Sequence, residues 1–169
     1  MSVLDAGQED TPWQAKFPTP RTKEPGAITR DELLARFESG EKGGQDFLLV
    51  DVRRTDHEGG TITHSTNLPA QTLYYSIPSI YNLLQSGKIP LVIFYCGTSR
   101  GRGTRTAAWF NDFIEDQRKA GSESDDGFMI QSVILKGGIK GWVNAGEEYQ
   151  KWMTAFEPDY WTQFADLRL

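Results

Sequence analysis

Continuous apolar runs alternate with amphipathic stretches along this chain, and the two periodicities predict its elements. Phe47-Leu48-Leu49-Val50-Asp51, Leu91-Val92-Ile93-Phe94-Tyr95 and Val133-Ile134-Leu135 carry no polar alternation. That is the form of a strand whose two faces are both covered, as in a parallel sheet. The runs predict strands at 47–51, 90–95 and 133–135. Between them lie helical patterns. Thr29-Arg30-Asp31-Glu32 reads as a capping box, with Leu33, Leu34 and Phe37 as the apolar stripe of a helix over 30–39 that ends near Gly40. A second helical stretch surrounds Ile80 to Leu84. A third, over 103–119, buries Ala107, Phe110, Phe113 and Ile114, and a fourth follows Lys136-Gly137-Gly138 and runs through Trp142. Strands alternating with helices imply βαβ units with right-handed crossovers. The expected fold is α/β, a three-layer domain with a central, mostly parallel sheet and helices on both faces.

Outside these elements the pattern breaks down. Residues 1–26 hold Pro12, Pro18, Pro20 and Pro25 among polar residues, which predicts an extended arm without regular structure, anchored by Trp13 and Phe17. Residues 27–155 form one domain, and an aromatic tail over 156–169, with Tyr160, Trp161 and Phe164, packs back on it. The acidic segment 121–127 reads as a solvated loop. Trp142 and Trp152 read as core and helix-face residues, and Arg53 and Arg54 as partners of acidic groups.

Composition narrows the function classes. An apolar fraction of 38% in 169 residues supplies one core. The net charge of -5 argues against a general binder of nucleic acid or of acidic membranes. A single cysteine cannot form an internal disulfide, no segment has the length of a membrane span, and no basic-then-apolar leader is evident, so the cytoplasm or nucleus is expected. His57 and His64, without clustered cysteines or carboxylates, predict no metal site.

The lone cysteine stands where a strand gives way to a helix. Cys96-Gly97-Thr98-Ser99-Arg100-Gly101-Arg102 follows the second apolar run, at the strand end where ligands bind in such sheets. A helix N-terminus offers unpaired N–H groups and a positive dipole, and a glycine-containing turn can aim successive N–H groups inward. A thiol at the mouth of that ring is pushed toward thiolate. The spacing Cys-x5-Arg lets the loop close on a tetrahedral oxyanion while the Arg102 guanidinium grips two of its oxygens. Cys96 and Arg102 are therefore the candidate catalytic pair. Gly97, Thr98, Ser99, Arg100, Gly101 and Gly103 are the candidate oxyanion-binding residues, and Ser99 Oγ is placed to stabilise the thiolate.

Three stretches together resemble the rhodanese superfamily: Asp51-Val52-Arg53 with Glu58-Gly59-Gly60-Thr61-Ile62 and Asn67-Leu68-Pro69; the Cys96 loop; and Leu135 through Trp142. Within it, the sulfurtransferases have a shorter loop. The cell-division-cycle dual-specificity phosphatases and the eukaryotic arsenate reductases similar to them have Cys-x5-Arg, as here. This chain has Tyr95 where those proteins have His before the cysteine, and Thr61 where Gly-Gly-His-Ile is usual. It has Gly101 where the phosphatase loops carry an acid, and its loop composition looks closer to the arsenate reductase type. Strand alternation predicts that Tyr95 points away from the face that Cys96 presents.

The resemblance implies a cysteine-dependent phosphatase or arsenate reductase acting on phosphate, arsenate or a phosphorylated substrate. No cofactor is bound in this reading. If the chain reduces arsenate, glutathione and glutaredoxin supply the electrons, because no second cysteine is present. Asp51, in a position that looks structural in the family, and Glu58, the better placed, are the candidate acids. A sulfurtransferase carrying a Cys96 persulfide and a non-catalytic binding module are the alternatives.

Overall fold

The computed structural model describes residues 12–121 and 126–165. Its strands and helices run in the order β1 (Gly26–Ile28), α1 (Arg30–Glu38), β2 (Leu48–Asp51), β3 (Thr61–Ile62), β4 (Ser65–Asn67), α2 (Ala70–Leu73), α3 (Ile77–Gly87), β5 (Leu91–Tyr95), α4 (Arg102–Lys119), β6 (Gln131–Leu135), α5 (Gly138–Asn144), α6 (Glu147–Gln150), β7 (Met153–Thr154) and α7 (Pro158–Trp161). β1, β6, β5, β2 and β4 lie side by side in that order, every neighbouring pair parallel. β3 and β7 form a separate antiparallel pair.

The sheet has a core on each face, which is why its strands read as continuous apolar runs. On one face Leu33, Leu34 and Phe37 of α1 meet Ile139, Trp142 and Val143 of α5 against Leu49, Ile93 and Leu135. On the other, Leu73, Ile77, Ile80 and Leu84 from α2 and α3 meet Ala107, Phe110 and Ile114 of α4 against Val50, Val92 and Phe94. The Thr29 capping box is formed, with Thr29 Oγ1 accepting from Glu32 N–H at 3.2 Å and Glu32 Oε2 accepting from Thr29 N–H at 2.8 Å.

Several short elements differ from the pattern-based expectation. The arm carries a 3-10 turn at Trp13–Lys16, and Gly26 opens β1, which pairs with β6 as an edge strand. Three residues behind a proline carry too little periodicity to be read as a strand, and pairing with β6 supplies what local sequence lacks. β3, β4 and β7 are equally short and exist through their partners. Pro78 fits the first turn of α3, which is longer than the stretch around Ile80 to Leu84. The arm is tied down by Trp109 Nε1, which donates to the Pro18 carbonyl at 2.8 Å, while Trp13 and Phe17 pack edge-on against the Trp109 ring. Of the acidic segment, Asp126 is described and pairs with Lys88 at 2.6 Å; residues 122–125 lie outside the described residues. Residues 1–11 of the arm and 166–169 of the tail do so as well.

Candidate active site

A buried ion pair builds the loop that follows β2. The Asp51 carboxylate, fully buried, receives Arg53 Nη2 at 2.7 Å, Arg53 Nε at 3.0 Å and Thr61 Oγ1 at 2.9 Å. Arg53 spends its other N–H groups on the carbonyls of Glu58 at 3.0 Å and Gly60 at 2.8 Å, so residues 53–60 wrap one guanidinium. Burial works against the Arg53 charge, but the hydrogen bonds and charge of Asp51 outweigh it and leave the pKa raised. The Asn-Leu-Pro stretch has a matching use: Asn67 Nδ2 donates to the carbonyls of Asp51 and Arg53, both at 2.9 Å. Gly59, at φ +77°, leaves room for Trp161, whose Nε1 donates to the Gly59 carbonyl at 2.7 Å.

The Cys96 loop is braced from behind by the start of α5. Ile139 N–H donates to the Cys96 carbonyl and Lys140 N–H to the Gly97 carbonyl, each at 3.0 Å. Gly138 makes this approach possible. It sits at φ +60°, and a Cβ there would lie 2.5 Å from both carbonyl oxygens. In front, Gly103 N–H donates to Cys96 Sγ at 3.4 Å from the first turn of α4, an 18-residue helix. An N–H donor and a helix N-terminus are thus both directed at the sulfur of a cysteine that is buried at 4% exposure. Ser99 takes the left-handed conformation, φ +62°, and Thr104 Oγ1 donates to its carbonyl at 2.5 Å. Its own Oγ is buried beside Gly103 with no hydrogen-bond partner among the described residues.

A cavity of about 890 Å³ opens above the loop. Cys96, Gly97, Thr98, Gly101 and Arg102 line it from the loop itself. Arg100 is exposed and stands outside its walls. Arg53, Arg105 and Lys140 add positive charge, and Trp13, Tyr160, Trp161 and Phe164 bring aromatic walls from the two ends of the described chain. Lys140 Nζ lies 4.3 Å from the centre of the Phe164 ring.

Arg102 is turned to an internal partner. Its Nη1 and Nη2 donate to Asp56 Oδ1 at 2.8 Å and Oδ2 at 2.6 Å, a fork of the kind that the sequence predicts for a bound oxyanion. This contact holds the Asp56 carboxyl well below the usual carboxylate range and raises the Arg102 pKa. Asp51, locked to Arg53 and Thr61, and exposed Glu58, which borders a separate cavity with Ala155 and Glu157, are not among the walls of the Cys96 cavity. Asp56 is, and the sequence reading passed it over. Nothing in Arg53-Arg54-Thr55-Asp56-His57-Glu58 distinguishes one acid from the other; the folding of the loop around Arg53 does. Among the described residues, no three His, Cys, Asp or Glu side chains gather as a metal-binding group. No helix among them is long and apolar enough to cross a membrane.

Comparison with known proteins bears on this arrangement. The family described as the rhodanese-like domain matches residues 29–145. The chain belongs to the rhodanese-like family. A relative of this rhodanese-like domain is Arsenical-resistance protein 2 of Saccharomyces cerevisiae, 30% identical over 121 residues that span 68% of this chain and 85% of that protein. Among solved structures, yeast Ygr203w, described as a homolog of single-domain rhodanese and of the Cdc25 phosphatase catalytic domain, superposes with a TM-score of 0.59 at 21% identity, covering 80% of this chain and 91% of that one. The As-Sb reductase of Leishmania major superposes with a TM-score of 0.58 at 20% identity, covering 80% and 89%. At such identities the superpositions establish the shared rhodanese-like fold.

Proposed function

We propose that this rhodanese-like domain is a cysteine-dependent oxyanion-transfer enzyme, and that its reaction is arsenate reduction. The observation that carries the reading is the Gly103 N–H directed at Cys96 Sγ from the first turn of α4, on the floor of a cavity that Arg102 also lines. That is a place for an anionic nucleophile and an anionic substrate together. The Cys96 thiolate attacks arsenic in line, the S–As bond forms, and one arsenate oxygen departs as water after taking up protons. Arg102 and the backbone N–H groups between Gly97 and Gly103 hold the remaining oxygens. A second thiol then attacks the Cys96 sulfur. The S–As bond breaks, its electron pair stays on arsenic as As(III), and a mixed disulfide remains. Because Cys96 is the single cysteine, these thiols are external, glutathione first and glutaredoxin to release it. Gly101 in the place of a loop acid suits a small oxyanion better than an ester of an aliphatic alcohol, whose alkoxide needs a strong proton donor. Similarity to Arsenical-resistance protein 2 points the same way.

A second reading, phosphatase action on an aryl phosphate, is favoured by the aromatic walls at Tyr160, Trp161 and Phe164 and by a cavity larger than one tetrahedral ion requires. Water would then hydrolyse a cysteinyl phosphate. The deciding experiment offers the reduced protein arsenate with glutathione and glutaredoxin, an aryl phosphate, and thiosulfate with cyanide. Arsenite production that depends on both thiols is the expected result. Phosphate release alone favours the second reading, thiocyanate alone makes the protein a sulfurtransferase, and no turnover of any of them leaves a binding module.

A further inference from the structure

We propose that Asp56 is the proton donor of the reaction, stored on Arg102 until an oxyanion takes its place there. The inference rests on the oxyanion-transfer reading above and adds the acid that the Cys96 loop lacks.

The geometry points to exchange. Asp56 presents its two oxygens to the paired Nη groups of Arg102, at 2.8 and 2.6 Å. A tetrahedral oxyanion asks for the same pair of donors. Asp56 occupies the Nη1–Nη2 edge of the guanidinium, so an oxyanion that takes that edge competes with it directly, and two anions sharing the cavity repel each other. An oxyanion settling over Cys96 onto that edge therefore displaces Asp56 from Arg102. The carboxylate is free to yield, because its side chain is 49% exposed and lies in a loop, whereas Arg102 starts a long helix.

Exchange also changes the protonation of Asp56. While it sits on Arg102 it is held ionised, and a carboxylate cannot donate. Once Asp56 has yielded Arg102 to the oxyanion, the main cause of that low pKa is gone and an anion stands in front of it. The groups that remain around it do not replace Arg102. Arg54 offers its backbone N–H at 3.1 Å, Arg53 is committed to Asp51, and the Tyr160 phenol is uncharged. Arg105 and Lys140, on the cavity wall, are placed to serve the oxyanion. Asp56 takes a proton from solvent and passes it to the departing oxygen as the bond from sulfur forms and the bond to that oxygen breaks. When product leaves, the carboxylate returns to Arg102.

The test uses Asp56→Asn, with inorganic phosphate as the binding probe. Calorimetry at about pH 5.5 in buffers of different ionisation enthalpy should show proton uptake when wild type binds phosphate. The variant should take up fewer protons than wild type and should bind about tenfold more tightly, since its internal competitor is neutral. Turnover of whichever substrate the wild type accepts, arsenate or an aryl phosphate, should fall by about 100-fold or more, with loss of the alkaline limb of the pH–rate profile; Asp56→Glu should restore part of both. Weaker phosphate binding by Asp56→Asn would overturn the proposal and make Asp56 a positioning residue for Arg102. Tighter binding with turnover and pH profile unchanged would overturn the proton-donor role. If neither protein binds phosphate or arsenate while melting cooperatively, the oxyanion-transfer reading itself is wrong and this proposal falls with it.

Discussion

The hydroxyl of Tyr95 lies 2.9 Å from Thr61 Oγ1, so two of the residues at which this chain departs from the pattern it resembles touch each other. Tyr95 also meets Ser65 Oγ at 2.7 Å and accepts from the Ile62 N–H at 3.2 Å, while Thr61 passes the contact on to Asp51 at 2.9 Å. The phenol is wholly buried on the α1–α5 face of the sheet, whereas Cys96 belongs to the core on the opposite face. Tyr95 is thus no base for Cys96. Its hydroxyl joins the end of β5 to the turn after Gly60, and its carbonyl accepts the Val52 N–H at 2.9 Å.

Removing that hydroxyl should cost stability more than chemistry. Tyr95→Phe leaves the buried Ile62 N–H without its acceptor, and urea unfolding should show a loss of about 1–3 kcal/mol. Burial, with the Asp51 charge behind it, raises the Tyr95 pKa above that of an exposed phenol. In the unfolded chain the phenol ionises near its ordinary value of about 10, so the stability from a neutral Tyr95 is complete below that pH and declines as pH rises beyond it. Wild type should therefore lose stability more steeply than Tyr95→Phe between about pH 10 and 12. Parallel declines would show that the buried phenol does not govern this window.

Gly138→Ala should damage the Cys96 loop from outside it. The added Cβ falls 2.5 Å from the carbonyl oxygens of Cys96 and Gly97, at a φ of +60°. Thermal melting should show a loss on the order of 1–3 kcal/mol or more, and phosphate binding should weaken with it. Gly87→Ala, at the end of α3 and outside the cavity, whose Cβ comes no nearer than 3.4 Å to its neighbours, is the control and should bind as wild type does.

Chemistry and anion binding should separate at the two ends of the loop. Cys96→Ser is expected to abolish turnover and keep phosphate affinity, since the N–H donors and Arg102 remain. Arg102→Lys is expected to lose turnover and to weaken phosphate binding by roughly tenfold or more, because an ammonium cannot reproduce the fork seen on Asp56. Turnover and calorimetry measured on the same preparations check both. Wild-type turnover in Cys96→Ser would refute the nucleophile.

The aromatic tail should prove structural as well as lining the cavity. Trp161 is 4% exposed and gives its indole N–H to the Gly59 carbonyl at 2.7 Å. Trp161→Ala should cost about 3–5 kcal/mol, and Trp161→Phe, which keeps most of the packing, about 1 kcal/mol for the lost hydrogen bond. Denaturant midpoints read both, and equal losses would mean that the hydrogen bond, not the ring, holds the tail.

The layered α/β fold was legible because its signals are local. Leu91 through Tyr95 has the length and composition of a covered strand, Thr29 with Glu32 is a local helix start, and Cys96 falls where the one pattern gives way to the other. β1, β4 and the β3–β7 pair were not legible, because elements of two or three residues take their conformation from the partner they bond to. The same division runs through the site. Sequence alone determined that Cys96 stands at a strand end with Arg102 opening the next helix, since that follows from chain order. It could not rank Asp51, Asp56 and Glu58. Only the tertiary structure, by burying Arg53 and wrapping residues 53–60 around it, sent Asp51 into the core, turned Glu58 away and delivered Asp56 to Arg102. Which carboxylate meets which cation is decided by desolvation and by competition for N–H donors, and those depend on every segment packed around the loop.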